Sequence, residues 1–212
     1  MLKKVSFFIA LALVLGANAL NAQARFGVKA GLNLATIHFT GEGSEDSNDS
    51  AKNLPTFQIG ALAEFDFTEN LGLGLGVQLQ GRGVRFGEMG IEASINPLYL
   101  QVPVLLHYRN NGFYAAVGPY AGLGIAGKSK LSVLGQNESE DLTFGNDEDF
   151  DFAPLDFGAN IELGYEILGM IRLSAGYSLG LANIAPKDLR VDDEGGKNRA
   201  ITVSAAVLFG GK

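Results

Sequence analysis

The sequence predicts an all-β fold: an eight-stranded antiparallel up-and-down transmembrane β-barrel, preceded by a signal peptide. Three observations carry this reading. Hydrophobicity alternates with period two in eight segments between residues 25 and 209. Tight turns and long polar loops alternate between the segments. The aromatic residues of the apolar face gather near the tight turns. Period two is the signature of a strand, and short turns at one end with long loops at the other mark a membrane barrel.

The first residues stand apart from the alternation. Lys3 and Lys4 precede an apolar run from Val5 to Gly16, and small residues follow at Ala17, Ala19, Ala22 and Ala24. That is the layout of a secretory signal peptide. The run falls short of the ~20 residues that a spanning helix needs. Cleavage is expected after Ala22, with Ala19 and Ala24 as rivals, which leaves 23–212 as one barrel domain. The chain has no cysteine, so anchoring through a lipidated N-terminal Cys is closed to it.

Two of the 16 basic residues lie in 1–22 and none of the 23 acidic ones does, so the remainder carries 14 against 23, a net −9. An acidic balance of that size argues against nucleic acid as a partner, because phosphates call for basic patches.

The segments follow in order. In 25–39, Phe26, Val28, Ala30, Leu32 and Leu34 oppose Gly27, Lys29, Gly31 and Asn33. In 56–67, Phe57, Ile59, Ala61, Phe65 and Phe67 oppose Gln58, Gly60, Glu64 and Asp66. In 71–86, leucines and Val77 oppose Gly72, Gly74, Gly76, Gln78, Gln80 and Arg82. In 98–108, Leu98, Leu100, Val102, Val104, Leu106 and Tyr108 oppose Tyr99, Gln101 and His107. In 113–126, Phe113, Val117, Leu123 and Ile125 oppose Tyr114, Gly118, Tyr120, Gly122 and Gly124. The clearest segment, 155–167, sets Leu155, Phe157, Ile161, Leu163 and Tyr165 against Asp156, Asn160, Glu162 and Glu166. The pattern repeats from Ile171 to Leu181 and from Arg199 to Phe209. Each segment reaches the ~9–11 residues of a tilted membrane strand. Pro103 and Pro119 fall inside segments, so each is expected to bring a bulge or an unpaired ladder bond.

The connections 68–70, 109–112 and 168–169 are tight, whereas 40–55, 87–97, 127–153 and 184–198 read as long polar loops. Near the tight turns and chain ends the apolar face carries Phe26, Phe65, Phe67, Tyr108, Phe113, Tyr165 and Phe209. Rings prefer the membrane–water boundary, so these residues are expected to form a periplasmic aromatic girdle.

A water-soluble eight-stranded barrel also alternates, but with its apolar face inward. Here the opposite face holds Lys29, Glu64, Asp66, Arg82, His107, Glu162, Glu166 and Arg172. Such charges are costly toward lipid. Inside a barrel just wide enough for its side chains they can pair and fill the lumen. Lys29, Arg82 and Arg172 are expected to pair there with Glu64, Asp66, Glu162 and Glu166.

Catalytic and metal chemistry are weakly signalled. A lipid-modifying enzyme needs a base beside a nucleophile, and the histidines are only His38, at the loop rim, and His107, inside. The acidic run from Asn146 to Asp151 offers oxygen ligands for calcium, yet it lacks the spacing of a calcium loop. A solvated acidic loop is the preferred reading. Gly72, Gly74 and Gly76 are not followed by a helix, so they cradle no phosphate. No cofactor is called for.

In the stretches FGVKAGLNLA (26–35), YLQVPVLLHY (99–108), FYAAVGPYAGLGIAG (113–127), DFGANIELGYEI (156–167) and SAGYSLGLANI (174–184), the chain resembles the outer-membrane β-barrel proteins of Bacteroidetes, often labelled porin-family or PorT-family. The resemblance implies the cell outer membrane, insertion by the barrel assembly machinery, and contact with outer-membrane lipid and lipopolysaccharide. It implies no catalytic motif. A structural or interaction role follows, with acidic surface loops offered to a surface or secretion-system partner and a plugged polar lumen. The alternatives are a porin-like small-solute channel and a lipid-modifying enzyme.

Overall fold

The computed structural model describes residues 24–88, 91–133, 136–190 and 194–210. The expected signal peptide, 1–22, lies outside them. Ten strands appear: β1 (Ala24–Thr40), β2 (Leu54–Asp66), β3 (Leu71–Gly81), β4 (Val84–Glu88), β5 (Ile91–Asn110), β6 (Phe113–Val133), β7 (Gln136–Asp141), β8 (Leu155–Ile167), β9 (Ile171–Gly180) and β10 (Gly195–Gly210). Eight of them form a closed antiparallel ring, β1-β2-β3-β5-β6-β8-β9-β10, and β10 pairs back onto β1 from Gly210 to Gly195. Ring closure removes every sheet edge within the wall.

β3 and β4 are one strand with a break at Arg82-Gly83. Gly81 pairs with Leu98 and Val84 with Ile95, so register survives the break. Gly83 sits at φ 124°, a conformation favouring glycine, and a Cβ there would run into the Ile95 carbonyl. Asn111 (φ 49°) and Gly112 (φ 86°) form the two-residue turn between β5 and β6. Positive φ at both positions is what a type I′ hairpin requires, and Asn-Gly is its favoured pair.

The alternation resolves into a wall facing two ways. Leu32 is 71% exposed, Leu155 64% and Val203 62%, whereas Arg82 and His107 are 1% exposed and Glu64 and Arg172 2%. Charges lie inside and leucines outside, the inverse of a soluble protein.

The long connections are shorter than the sequence suggests. Segment 87–97 is the end of a hairpin, with Gly87 paired to Glu92, and much of 127–153 is strand, with Lys128 paired to Asp141. In 40–55 a seven-residue helix, α1 (Ser44–Ser50), takes up the middle. In 184–198, β10 already begins at Gly195, after a 3-10 turn at Lys187–Leu189. These strands continue past the eight alternating segments, and Lys128-Ser129-Lys130 and Gln136–Asp141 carry no hydrophobic alternation.

Pro103 costs ladder pairs without shifting register. Leu75 pairs with Val104 and Gln78 with Gln101, and nothing pairs between; on the other side the gap lies between Pro103–Tyr120 and Leu106–Val117. Pro119 lies inside that second gap and pairs with Ala159 on its other neighbour. The missing proline N–H drops a bond, so no extra residue is needed. The one irregularity of register on β5–β6 lies elsewhere, between Leu98 and Tyr99.

Val203, paired with Leu32, tests the direction of the wall. Val203→Arg is expected to destabilise the barrel by about 2–4 kcal/mol in phospholipid vesicles. Urea titration read by tryptophan-free far-UV circular dichroism checks this. A cost within about 0.5 kcal/mol, usual for a water-facing site, would contradict a lipid-facing wall.

Candidate functional site

The inward side chains form three layers stacked along the barrel axis. The layer at the tight-turn end is ionic. Register sets up its pairs: Arg25 lies directly opposite Glu64 on β2, and Glu166 directly opposite Arg172 on β9. Glu64 then accepts from Arg172 Nη1 at 2.6 Å and from Arg25 Nη2 at 2.6 Å across the lumen. Glu166 accepts from Arg25 Nη1 at 2.5 Å and from Arg172 Nη2 at 2.8 Å. Asp66 accepts from Arg109 and lies 3.0 Å from His107 Nε2.

A glycine makes the last contact reachable. Asp66, Gly72 and His107 stand in one row across β2, β3 and β5. A Cβ on Gly72 would sit 2.5 Å from His107 Nε2, in the space through which Asp66 reaches the ring. Three guanidinium groups thus meet three carboxylates. The Arg172 guanidinium also lies 3.5 Å from the Tyr114 ring centroid, a cation–π contact.

The middle layer is smaller. Lys29 Nζ lies 2.6 Å from Glu162 Oε2, Ser174 Oγ donates to Glu162 Oε1 at 2.6 Å, and Ser174 contacts Ser204 at 2.9 Å. Cavities of 40 and 30 Å³ flank the Lys29–Glu162 pair. A buried water needs about 10–15 Å³ of such space, so each has room for about two or three.

In the upper layer Arg82 Nη2 donates to Ser178 at 2.7 Å and to Gln101 at 3.2 Å, with its guanidinium 5.3 Å from the Tyr120 ring. Tyr120 Oη and Asn198 Nδ2 both donate to Asp156, at 3.2 and 3.0 Å. Above these, Ile37, Val84 and Ile184 form a buried apolar cluster, with Phe39, Ala51, Phe86 and Phe152 packed against it. The loops therefore cap a polar lumen with hydrocarbon.

Of the residues expected inside, Lys29, Glu64, Asp66, His107, Glu162, Glu166 and Arg172 are joined by direct contacts within the lower two layers. Arg82 departs from expectation: it stands higher, among Gln101, Ser178 and Tyr120, and makes no ion pair among the described residues. Its position near the end of β3 puts it out of reach of the carboxylates close to the tight turns. Arg25 and Arg109 were missed, although they are in phase with Lys29 and His107; their places at a strand end and beside a turn hid them. Phe26 pairs with Phe209 and Phe113 with Tyr165, next to chain ends or tight turns, with Phe65, Phe67 and Tyr108 at the same end. In the acidic run, the Asp151 carboxylate accepts from Thr143 N and Oγ1, both at 2.8 Å, and no group of acids and histidines placed to hold a metal ion occurs among the described residues.

Residues 7–209 match the family described as outer membrane protein beta-barrel domain, and the chain belongs to that family. The family's location is the outer membrane. No curated protein matches the sequence. Ail, the attachment invasion locus protein of Yersinia pestis, solved in complex with the heparin analogue sucrose octasulfate, is 16% identical, with 88% of this chain and 99% of that one covered and a TM-score of 0.45. Neisserial surface protein A is 9% identical over 87% and 97%, with a TM-score of 0.46. OprG of Pseudomonas aeruginosa is 14% identical over 89% and 97%, with a TM-score of 0.39.

The ionic layer gives a direct test. Glu64→Ala leaves two buried guanidinium groups without their shared carboxylate, and is expected to destabilise the barrel by about 3–5 kcal/mol. Glu138→Ala, on exposed β7, is expected to change stability by less than about 0.5 kcal/mol. Urea unfolding in vesicles, monitored by the gel shift between boiled and unboiled samples, measures both.

Proposed function

We propose that this member of the outer membrane β-barrel family is a non-conducting barrel with a structural and interaction role, exercised through its acidic loop end. The observation that carries the reading is the filled lumen: three layers of bonded side chains and an apolar cap, with cavities of 40 and 30 Å³ beside the Lys29–Glu162 pair. A small-solute channel needs a continuous aqueous path, and forming one would break several buried pairs at once. A lipid-modifying enzyme needs a hydroxyl beside its histidine. His107 instead contacts Asp66, and Ser174 and Ser178 are bonded to Glu162 and Asn160.

In this reading residues 1–22 are removed on export, and the assembly machinery inserts the barrel. The tight turns lie in the periplasm, with the aromatic residues at that membrane boundary among outer-membrane lipid. The acidic loops meet lipopolysaccharide and a surface or secretion-system partner, as in the porin-family or PorT-family proteins of Bacteroidetes that the chain resembles.

Purified protein in planar lipid bilayers is expected to give no stepwise conductance above the bare membrane. Reproducible unitary steps would replace this reading with the channel.

A further inference from the structure

Above the apolar cap the loop end carries an open pocket of 450 Å³, within the usual range for small-molecule sites. Its accessible apolar surface comes from Phe39, Ile95, Phe152 and Leu189, with the buried Ile37 and Ile184 beneath them, and its charged lining groups are Glu42, Asp151 and Glu194. No lysine, arginine or histidine lines it among the described residues.

The walls are fixed by hydrogen bonds rather than loosely apposed. On one side the side chain of Asn48, in α1, accepts from Phe39 N at 2.8 Å and donates to Phe39 O at 2.9 Å. On the other, Asn183 accepts from Ala185 N at 3.0 Å and donates to Glu194 O at 2.8 Å. Arg190, on that wall, spends its guanidinium on the carbonyls of Asn183 and Ala185. Ala153 N donates to Ile184 O at 2.8 Å and ties in the third side. The Asp151 carboxylate is bonded to Thr143. Glu42 and Glu194 make no ion pair among the described residues.

We propose that this pocket binds an amphipathic cation, an ammonium or guanidinium group carried on a hydrocarbon or aromatic body. The body would lie against Phe39, Ile95 and Phe152, over Ile37 and Ile184, and the cation would face Glu42 and Glu194. Charge complementarity decides the occupant: an anion of the same shape meets two unpaired carboxylates, and a neutral apolar molecule leaves them unused. A binding pocket of this kind is compatible with either state of the lumen, which the bilayer recording tests separately.

The test uses the barrel in lipid nanodiscs with labelled isoleucine methyl groups. The probes are 2-phenylethylammonium and 3-phenylpropionate, of matched body and opposite charge. The cation is expected to shift the methyl signals of Ile37, Ile95 and Ile184 saturably. The wall methyls of Ile59, Ile161 and Ile201, which are about half exposed, serve as reporters of simple partition into lipid. The anion is expected to bind about fivefold more weakly or worse, the scale of one or two exposed charge pairs. In Glu42→Gln/Glu194→Gln the two probes are expected to converge. Shifts confined to wall methyls, equal binding of both probes to the native protein, or an unchanged preference in the double variant would each overturn the proposal. Both substitutions are at exposed positions, and the boiled-against-unboiled gel shift confirms that the variant is folded.

Discussion

A strand in hydrocarbon has no water to bond its free N–H and C=O groups, and each group left unmet costs several kcal/mol. The pairing of β1 with β10 answers that constraint, since it turns the first and last strands into neighbours and leaves no edge in the wall. Much else follows from the number at which the ring closes. Eight strands enclose a space that side chains fill on their own. Outward positions must be apolar on every strand, and inward positions must fit together in a narrow tube that is also polar. Gly72, Gly60 and Gly118 lie where bulk on a facing strand already occupies the space, so the glycines are part of the filling rather than slack in it.

The polar filling is stable only because it is mutual. A carboxylate such as Glu64, 2% exposed, is expensive to bury alone, and a lone Arg172 equally so. Shared between Arg25 and Arg172, Glu64 has its oxygens met from two strands, and Glu166 on β8 repeats the arrangement from the opposite side of the ring. These contacts join β1, β2, β8 and β9 through the lumen, in addition to the ladder bonds between neighbours. Such a network resists opening in part, because releasing one partner leaves the others buried without compensation. That argues for a rod-like scaffold more than for a gated conduit.

The ring was legible in the sequence wherever lipid lay on one side and the lumen on the other, because only there does each residue's environment switch at every step. Leu155–Ile167 shows this most clearly, and the strand occurs with those bounds. Where both faces meet water the signal vanishes. Lys128-Ser129-Lys130 and Gln136–Asp141 read as loop, yet they form a hairpin held by backbone pairing, which leaves no mark on composition. Of the interior, the phase of each residue was readable but its height was not. Arg82 has the right phase to meet Glu64, but its partners follow from strand tilt and stagger, which set its level near Ser178 and Gln101. The apolar cap was hidden for a related reason: Ile37, Val84 and Ile184 come from three distant segments, and none stands out within its own.

The order of the layers also separates the two ends of the molecule in what they can recognise. At the tight-turn end Arg25, Arg109 and Arg172 balance Glu64, Asp66 and Glu166 within hydrogen-bonding distance, so little net field reaches outward. At the loop end the balance is broken. Glu42 and Glu194 line the mouth and Glu45, Asp46 and Asp49 lie on the adjoining α1, while Arg190 is engaged by carbonyls and Lys128 by Asp141. Beneath that mouth lies hydrocarbon rather than water, which screens charge less than solvent does. A group that brings positive charge together with apolar surface satisfies both features at once, whereas either property alone satisfies one. If the pocket takes such a group, selectivity in this barrel belongs to its cap and loops, and the lumen below holds them in place.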